Sequence, residues 1–366
     1  MREVESFDAI VLGAGLSGLS VADSLMELGY QCAIIDSGFP GSGASGAPMM
    51  LANPATGRRA RRMWRAEDCF HSLLKYLSKV ERKTGKRCYN MNGVVRPALT
   101  AEISEDFIRS PDKYEWLPGW IEWIDPDRFS EQFPYFKTEF GGLLLPNGIT
   151  LKGDEYCESM IQYLESENCY THFGSKPEII KNGNQWIIQI EGDIQLITKI
   201  VIDATGYQQT FDKNWSFIPL HPIKGQTATL HFNENIELKY SVSSLGYIAV
   251  MPDNPLQLTV GSTYEHKFKD LEPDSKGLSY LQSKLEKTLP GYWSKSRSVK
   301  QWASVRVSVQ DKMPVIGEHP ELKNLYFIGA MGSKGLMMSR YVADILAQKI
   351  GNGIPLEPSL SLQRFL

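Results

Sequence analysis

The feature that most constrains the fold is a glycine-rich turn near the start of the chain, placed between an apolar run and an amphipathic segment. The apolar run covers residues 7–12, the turn carries Gly13, Gly15 and Gly18, and the amphipathic segment covers residues 19–28. This order predicts a strand, a tight turn and a helix. Glycines at this spacing permit the turn, let a diphosphate approach the backbone and let the helix pack closely on the strand. The stretch therefore predicts a dinucleotide-binding unit.

An acidic residue follows the second apolar run of this unit. Residues 31–35 form that run, and Asp36 closes it. The acid comes about 20 residues after the first glycines, where such units place a carboxylate on a ribose hydroxyl. An acid here favours NAD or FAD over NADP. The alternative is a plain glycine-rich turn in an ordinary α/β protein, but the strand, the helix and the acid at this spacing favour a bound dinucleotide.

Three later turns are also rich in small residues. Residues 41–46 follow the acidic strand, residues 203–206 follow the apolar run 196–202, and residues 330–336 separate a short apolar run from a helical segment. Small residues leave backbone N–H groups free to face phosphate or a flat ring, and a helix N-terminus attracts an anion. A flexible linker is the alternative for residues 41–46. If the run 196–202 returns to the first sheet, its turn lies beside the cofactor and the nucleotide domain is interrupted.

A second set of strands alternates apolar and polar residues. The runs 227–232, 247–251 and 258–264 show this pattern. Alternation gives one dry and one wet face, which is typical of an antiparallel sheet that can roof a pocket. Arg306 lies in the β-branched run 304–309 and points to one sheet face. It is either solvated or the one cation in a pocket, and the pattern leaves both open.

Arginines are concentrated at the start of the segment 57–84, whose apolar periodicity predicts a helix. Four of them are spaced at i, i+3, i+4 and i+7, which would place them on one side of that helix. They are Arg58, Arg61, Arg62 and Arg65. A solvated charged face is the alternative. Because no acidic residue separates these arginines before Glu67, we consider a bound anion, either a substrate carboxylate or a nucleic-acid phosphate.

Composition limits the partners and the compartment. The chain has 366 residues, and its formal net charge is -3. This length allows two domains of ordinary size, and this charge gives no global attraction to nucleic acid or anionic lipid. The five cysteines lack a C-x-x-C pair, so we expect no disulfide framework, no metal site and a reducing cytoplasm. The start of the chain lacks the apolar core of a signal peptide, and no run is long enough to span a bilayer.

Taken in order, these motifs resemble the FAD-dependent amine oxidases of the D-amino acid oxidase and glycine oxidase superfamily. The resemblance covers the whole chain and rests on Gly13 to Gly18, Asp36, Gly43 to Gly46, Asp203 to Gly206, Pro222 to Gln226, Gly261 to Tyr264, Arg306 with Asp311 to Gly317, and Gly332 to Leu336. In particular, the chain resembles the C-terminal FAD oxidase domain of bifunctional tRNA 5-methylaminomethyl-2-thiouridine biosynthesis proteins. The resemblance implies FAD rather than NAD. It also implies noncovalent FAD, because the residues near Arg306 and in the 41–46 loop include no cysteine or histidine to which a flavin would attach.

The fold class implied by the resemblance is α/β. It combines a discontinuous Rossmann-like FAD-binding domain with an α+β substrate domain that has a mainly antiparallel sheet. We assign residues 1–85, 151–215 and 306–366 to the FAD-binding domain, and residues 86–150 and 216–305 to the substrate domain.

The resemblance also implies roles for individual residues. The residues implied to hold FAD are Gly13, Gly15, Leu16, Ser17, Gly18, Asp36, Ser37, Gly43, Ala44, Ser45, Gly46, Ala204, Thr205, Gly206, Gly332, Ser333, Lys334, Gly335 and Leu336. Arg306 occupies the position that binds a substrate carboxylate through a bidentate contact. Tyr247 occupies the position of a tyrosine beside the substrate, and Lys334 is assigned to the reacting centre as well as to the cofactor. The turn 332–336 would stabilise negative charge on the reduced flavin.

The activity implied by the resemblance is oxidation of the C–N bond of an amino acid or N-substituted glycine, by hydride transfer to flavin N5 followed by imine hydrolysis. One alternative is removal of a carboxymethyl group from 5-carboxymethylaminomethyluridine at the wobble position of tRNA, with tRNA bound through the four arginines. Another is a flavin-binding protein without turnover. We expect the small-molecule reaction, because the net charge is not basic and the chain opens at the FAD-binding strand, without the methyltransferase domain usual in the tRNA-modifying relatives.

Overall fold

The computed structural model of the protein describes residues 4–191 and 194–366, and residues 1–3 and 192–193 lie outside the described residues. The strands in chain order are β1 (Val4–Leu12), β2 (Cys32–Asp36), β3 (Met50–Ala52), β4 (Ala55–Thr56), β5 (Arg61–Arg62), β6 (Tyr89–Asn90), β7 (Val94–Pro97), β8 (Glu122–Ile124), β9 (Gly142–Leu145), β10 (Ile149–Leu151), β11 (Tyr170–Phe173), β12 (Glu178–Asn182), β13 (Gln185–Ile190), β14 (Ile194–Asp203), β15 (His221–His231), β16 (Ser241–Ser243), β17 (Tyr247–Val250), β18 (Gln257–Gly261), β19 (Ser298–Ser308), β20 (Val315–Glu318) and β21 (Leu325–Gly329). The α-helices are α1 (Leu16–Glu27), α2 (Ala66–Thr84), α3 (Ala101–Lys113), α4 (Pro126–Gln132), α5 (Gly153–Ser166), α6 (Ser275–Thr288) and α7 (Gly335–Asn352). Short 3-10 turns include Ala44–Gly46, Gly206–Phe211 and Gly332–Lys334.

The first sheet is built on the predicted strand, turn, helix and strand. Its order is β11-β2-β1-β14-β13-β12, with β21 also paired to β14 and β20 paired to β21. Strands β11, β2, β1, β14 and β21 are parallel. Ala9, Ile10 and Val11 in β1 are fully buried, as expected for a central strand covered on both faces. The prediction that the run 196–202 returns to this sheet is confirmed, because β14 pairs with β1.

Three helices pack together on one face of the first sheet. Helices α1, α2 and α7 contact one another and bury a shared apolar core. The carboxylate of Asp23 in α1 is 1% exposed and accepts hydrogen bonds from Lys79 of α2 and Arg340 of α7. Because α1 and α7 each follow a parallel strand, their N-termini lie at the carboxyl edge of the sheet. The packing therefore holds both helix N-termini at the edge where ligands bind in such folds.

The second sheet has the order β19-β15-β18-β17-β16-β7-β9-β8. Its pairs are antiparallel, except for the parallel pair β16 and β7. One face packs on α6 through an apolar core that includes Leu230, Val260 and Leu285. The other face carries Arg306 and Tyr247. The predicted mainly antiparallel sheet is thus present, while the domain limits given above remain a proposal.

The prediction of one helix over residues 57–84 is wrong in its first part. Helix α2 begins at Ala66, and residues 55–62 form a short hairpin, here called the arginine hairpin, in which β4 pairs with β5. Gly57, Ala60 and Arg65 have positive φ angles, which an α-helix does not allow. Tertiary contacts override the local periodicity at this point. The buried Arg96 holds the hairpin by donating to the carbonyl oxygens of residues 55 and 57.

None of the helices in the described part of the chain is both long enough and apolar enough to cross a membrane. The five cysteines are buried free thiols.

Candidate active site

The glycine turn after β1 packs directly against the turn after β14. Gly13 has a positive φ of 104°, and a Cβ on it would lie 2.5 Å from the carbonyl oxygen of Ala204. A Cβ on Gly18 would lie 1.9 Å from the carbonyl oxygen of Gly13. Both distances are far shorter than van der Waals contact, so the two turns and α1 meet at their backbones.

The carboxylate of Asp36 also holds this turn. Its Oδ2 accepts from the backbone N–H of Ala14 and its Oδ1 from that of Gly38, each at 2.7 Å. Ser37 lies between the two residues in the turn after β2. A carboxylate has about four acceptor sites, so both oxygens keep sites for a ribose hydroxyl. The sequence predicted a ribose contact for Asp36, and the structure adds a role in fixing the glycine turn.

The loop 41–46 covers the N-terminus of α1. Ser45 Oγ accepts from the backbone N–H of Leu16 at 3.0 Å, and a Cβ on Gly15 would lie 3.0 Å from the same oxygen. The N-cap residue of α1 is Gly15, which has no side chain of its own to cap the helix. The first N–H groups of a helix have no intrahelical partner, so those of Ser17 and Gly18 remain to bind an anion.

The turn after β14 is fixed by a buried carboxylate. Asp203 is 4% exposed. It accepts from the backbone N–H and hydroxyl of Thr205 and, at 2.7 Å, from Nε1 of Trp215. Burial raises the pKa of Asp203, and these hydrogen bonds oppose the increase. The carboxylate therefore fixes the turn of residues 204–206, which packs against the glycine turn.

The turn after β21 provides the second helix N-terminus. Gly332 has a positive φ of 58°, and α7 begins at Gly335 with no side-chain cap. The backbone N–H groups of Gly335 and Leu336 therefore have no partner within the helix. They are suited to stabilise negative charge near the turn.

Lys334 lies in the same turn, but its ammonium is engaged by a loop. Its Nζ donates to the carbonyl oxygen of Lys312 at 2.7 Å. Burial lowers the pKa of Lys334. Its predicted role at the reacting centre stays a prediction.

These turns converge, and the residues present fit FAD. The glycine turn contacts Ala204 and Ser45, and β19 lies against both the Ala44–Gly46 turn and the Gly332–Lys334 turn. Unpaired N–H groups at helix N-termini suit a diphosphate, and small residues suit a flat ring. The other residues predicted for FAD lie in the same turns: Gly43, Ala44, Gly46, Thr205, Gly206 and Ser333.

The guanidinium of Arg306 lies across the second sheet. Its Nη2 donates to the carbonyl oxygen of Thr263 at 2.9 Å, and its central carbon lies 4.5 Å from the ring centroid of Tyr264. Among residues 4–191 and 194–366, no carboxylate pairs with it. A guanidinium has five N–H donors in a fixed fork, so most of them remain for an external anion.

Tyr247 lies beside Arg306 on the same face. Its Oη donates to the carbonyl oxygen of Met49 at 3.0 Å. Burial raises the pKa of Tyr247, and the nearby charge of Arg306 opposes the increase. The phenol is therefore protonated at neutral pH. Its hydrogen bond ties the second sheet to the segment that follows the 41–46 loop.

Two glycines for which the sequence predicts no individual role shape this part of the site. A Cβ on Gly225 would lie 2.6 Å from Nη2 of Arg306, and a Cβ on Gly261 would lie 2.4 Å from Cε1 of Tyr247. The side chains of Arg306 and Tyr247 can lie close to the sheet backbone because the residues beneath them are glycines. The register of the strands brings each glycine next to its arginine or tyrosine, although these residues are far apart in the sequence. No spacing in the sequence predicts these pairs.

The four arginines do not share a helix face. Arg58 and Arg61 are exposed on the arginine hairpin and have no acidic partner among the described residues. Arg62 makes a bidentate contact with Glu67, at 2.9 Å and 2.6 Å, and this hydrogen bonding raises the pKa of Arg62. Arg65 contacts Asp68, three residues later, and Glu357 near the C-terminus. Glu67 and Asp68 follow the arginines directly in the sequence and pair with two of them, so the acid-free run before Glu67 does not by itself indicate an anion site.

A cavity of about 440 Å³ lies beside the arginine hairpin. Its charged lining residues are Arg62, Arg65, Glu67, Asp68, Lys113 and Glu115. Both signs of charge are present, so the cavity does not favour a polyanion. The free positive charge in this region is on Arg58 and Arg61.

The sequence matches a known family over most of its length. The model of the family described as FAD dependent oxidoreductase (DAO) matches residues 8–349. The chain is 25% identical to the tRNA 5-methylaminomethyl-2-thiouridine biosynthesis bifunctional protein MnmC of Thiobacillus denitrificans, over 96% of this chain and 57% of that protein. It is 24% identical to MnmC of Acinetobacter baylyi, over 97% of this chain and 55% of that protein. The chain spans little more than half the length of these relatives.

Solved structures share the fold. Glycine oxidase from Geobacillus kaustophilus superposes with a TM-score of 0.83 at 18% identity, over 99% of this chain and 98% of that chain. Iminodiacetate oxidase from Chelativorans sp. BNC1 superposes with a TM-score of 0.81 at 18% identity, over 96% of this chain and 99% of that chain. At this identity the likeness concerns the fold, and it confirms the predicted α/β class.

Proposed function

The chain belongs to the FAD dependent oxidoreductase (DAO) family and uses FAD as its cofactor, and on that premise we propose that it oxidises the C–N bond of a small amine that carries a carboxylate. Bound FAD supplies the hydride acceptor for such a reaction. The protein must then bind the carboxylate, orient the neighbouring C–H bond and keep the amine neutral. The unpaired guanidinium of Arg306 is the observation that carries the proposal.

Arg306 suits a carboxylate because its geometry is already fixed. One donor is anchored to the carbonyl oxygen of Thr263, and the guanidinium plane rests on Tyr264. The remaining donors can meet both oxygens of a carboxylate in a bidentate contact, which an ammonium cannot copy. A substrate held there lies beside Tyr247, whose protonated phenol is neutral. The site thus offers one cation for one carboxylate.

The proposal is tested by replacing Arg306 and following the flavin. Arg306→Ala should keep FAD bound and raise the KM for N-methylglycine at least tenfold, which corresponds to about 1.4 kcal/mol. Arg306→Lys should also raise the KM, because lysine keeps the positive charge but cannot bind both carboxylate oxygens in a bidentate contact. The measurement is anaerobic reduction of the flavin in rapid-mixing experiments. Arg82→Ala is the control, since Arg82 is exposed on the distant end of α2.

Two outcomes would overturn the proposal. An unchanged KM in Arg306→Ala would remove Arg306 from the substrate site. A wild-type flavin that no carboxylated amine reduces would favour a flavin-binding protein without turnover.

A second candidate is oxidation of a glycine-like amine on the wobble uridine of tRNA, in which hydrolysis of the imine would leave a primary amine on the uridine and release the carboxymethyl group as glyoxylate. The observation in its favour is the exposed, unpaired charge of Arg58 and Arg61 on the arginine hairpin. The relatives named in the sequence comparison are tRNA biosynthesis proteins, although this chain spans only part of their length. The reacting unit would be the same, so Arg306 would serve both candidates.

The arginine hairpin distinguishes the two candidates. The double variant Arg58→Ser with Arg61→Ser should weaken tRNA binding. The slope of the logarithm of the tRNA association constant against the logarithm of the salt concentration should become less steep by roughly 0.7 to 0.9 for each lost phosphate contact. It should leave the KM for N-methylglycine unchanged. The matched control replaces Arg82 and Arg297, which are also exposed. Equal tRNA affinity for the two double variants would discard the tRNA candidate at this surface.

A further inference from the structure

One face of the second sheet forms a continuous floor from Arg306 to Tyr247. Arg306 lies opposite Ile223 of β15, and side chains of opposed residues point to the same face. Residues 225 and 227 follow on that face at the two-residue period of a strand. Thr227 lies opposite Gly261, which in turn lies opposite Tyr247. Thr227 therefore stands between the guanidinium and the phenol.

The hydroxyl of Thr227 is buried and has no partner. Thr227 is 3% exposed, and its Oγ1 forms no hydrogen bond with any group in residues 4–191 and 194–366. Thr229, two residues along the same strand, differs. Its hydroxyl is paired with that of Thr259 at 2.8 Å. The sheet thus provides a hydrogen-bond partner for the hydroxyl of Thr229 and none for that of Thr227.

The missing partner has a physical cause. Thr229 lies opposite a threonine, whereas Thr227 lies opposite Gly261. A side chain at position 261 would collide with the ring of Tyr247, so that position cannot supply a hydrogen-bonding group. The phenol does not replace it either, since Tyr247 Oη donates to Met49 and forms no hydrogen bond with Thr227. Leaving a buried hydroxyl unpaired is unfavourable, which makes this group suited to a ligand that brings its own donor.

We propose that Thr227 Oγ1 accepts a hydrogen bond from the N–H of the substrate amine whose carboxylate Arg306 binds. This inference rests on the proposed function. The guanidinium of Arg306 lies over Gly225, and Thr227 is two residues farther along β15, which corresponds to roughly 6.7 Å. A carboxylate bound to Arg306 and its adjacent amine bound to Thr227 would fill this distance. The N–H is the donor that a neutral N-substituted glycine offers, and a threonine hydroxyl has two acceptor lone pairs. Thr227 would thereby select amines that retain an N–H.

The test compares the isosteric variant Thr227→Val with Thr227→Ser, which keeps the hydroxyl. Thr227→Val should retain FAD, show a melting temperature equal to or above that of the wild type, and raise the KM for N-methylglycine about tenfold. Thr227→Ser should stay close to the wild type. Propionate has the carboxylate and lacks the N–H, so its Kd, read from the change in flavin absorbance, should be the same in both variants.

Thr229→Val is the matched control. It removes a paired hydroxyl on the same strand and leaves that of Thr259 unpaired, so its melting temperature should fall, while its KM for N-methylglycine should not change. A lower melting temperature for Thr227→Val would show that the hydroxyl has a partner in the free protein, and would overturn the inference. An unchanged KM in Thr227→Val would also overturn it, as would an equal loss of affinity for propionate and N-methylglycine.

Failure of the inference can be told from failure of the proposed function. If wild-type protein oxidises N-methylglycine and Thr227→Val does so with the same KM, the proposed function stands and the role of Thr227 is rejected. If N-methylglycine and other carboxylated amines leave the wild-type flavin oxidised under anaerobic conditions, both are rejected.

Discussion

Glycines beside the first sheet, in the turn after β1 and the start of α1, and glycines within the second sheet make room for different groups. Beside the first sheet, a Cβ on Gly18 would meet a backbone oxygen at 1.9 Å. In the second sheet, a Cβ on Gly225 or Gly261 would meet the end of an arginine or the ring of a tyrosine, at 2.6 Å and 2.4 Å. Backbone atoms in a packed turn cannot move without losing sheet and helix hydrogen bonds, whereas a side chain can change rotamer.

This difference separates two tasks of the site. Close backbone packing forms the turns that fit FAD, so changes there should affect cofactor binding and folding together. Glycine beneath a side chain sets only the position of that side chain, so changes there should affect substrate recognition and leave FAD bound.

The largest effect is expected for Gly18→Ala. The added methyl group would collide with the carbonyl oxygen of Gly13, which is fixed by the turn, and we expect a loss of at least about 3 kcal/mol in the free energy of unfolding. The purified variant should contain little or no FAD. The ratio of flavin to protein absorbance and the melting temperature measure the two effects.

Gly351→Ala is the control for this prediction. Gly351 is exposed near the C-terminal end of α7, and the atoms nearest to a Cβ on it belong to side chains, the first being Cδ1 of Leu28 at 2.9 Å. A flexible side-chain end can move aside, so we expect normal FAD content and stability. If Gly18→Ala bound as much FAD as Gly351→Ala, close backbone packing would not explain the cofactor site.

A smaller and more selective effect is expected for Gly225→Ala. The new methyl group displaces the guanidinium of Arg306 without removing its charge, so the KM for N-methylglycine should rise roughly tenfold, or about 1.4 kcal/mol, while FAD content stays normal. Steady-state kinetics and flavin absorbance measure this. If Gly225→Ala lost FAD as well as substrate affinity, cofactor binding and substrate recognition would not be assigned to separate sheets.

The smallest effect concerns Lys284, a residue of α6 on the side of that helix that faces the second sheet. Lys284 is 9% exposed and donates to the carbonyl oxygen of Ser262 at 3.0 Å, and burial lowers its pKa below the usual 10.5. Between the lowered pKa and 10.5 the unfolded chain binds more protons, so stability should rise with pH in that window. Lys284→Met should remove this rise. Denaturant unfolding from pH 8 to 10.5 measures it, and parallel curves for the two proteins would contradict it.

The first sheet was largely predictable because its signals are local. The glycine turn, Asp36 and the small-residue turn after residue 203 follow one another along the chain at spacings that the chemistry of a dinucleotide requires. The parallel pairing of β14 with β1 confirmed that the later turn belongs beside the first. The family expected from these motifs is also confirmed.

The second sheet and the arginine hairpin were less predictable because their contacts are not local. The apolar spacing before α2 is helical, yet buried Arg96 holds that backbone in a hairpin. Arg306 was identified through a family resemblance, while Gly225 and Thr227 acquire meaning only from the register of β15 against its neighbours. Register depends on the turns and packing of the whole sheet, and periodicity does not report it.

Strand β19 connects the two tasks. It carries Arg306 and, two residues later, Ser308, which bridges to Met331 directly before the turn that starts α7. The two peptide units between Arg306 and Ser308 thus set a fixed distance along β19 between the guanidinium-bearing residue and that turn. Under the proposed function, a substrate with an extra methylene between its carboxylate and its amine would place that amine at a different distance from the turn, so we expect the strand to select substrates by chain length.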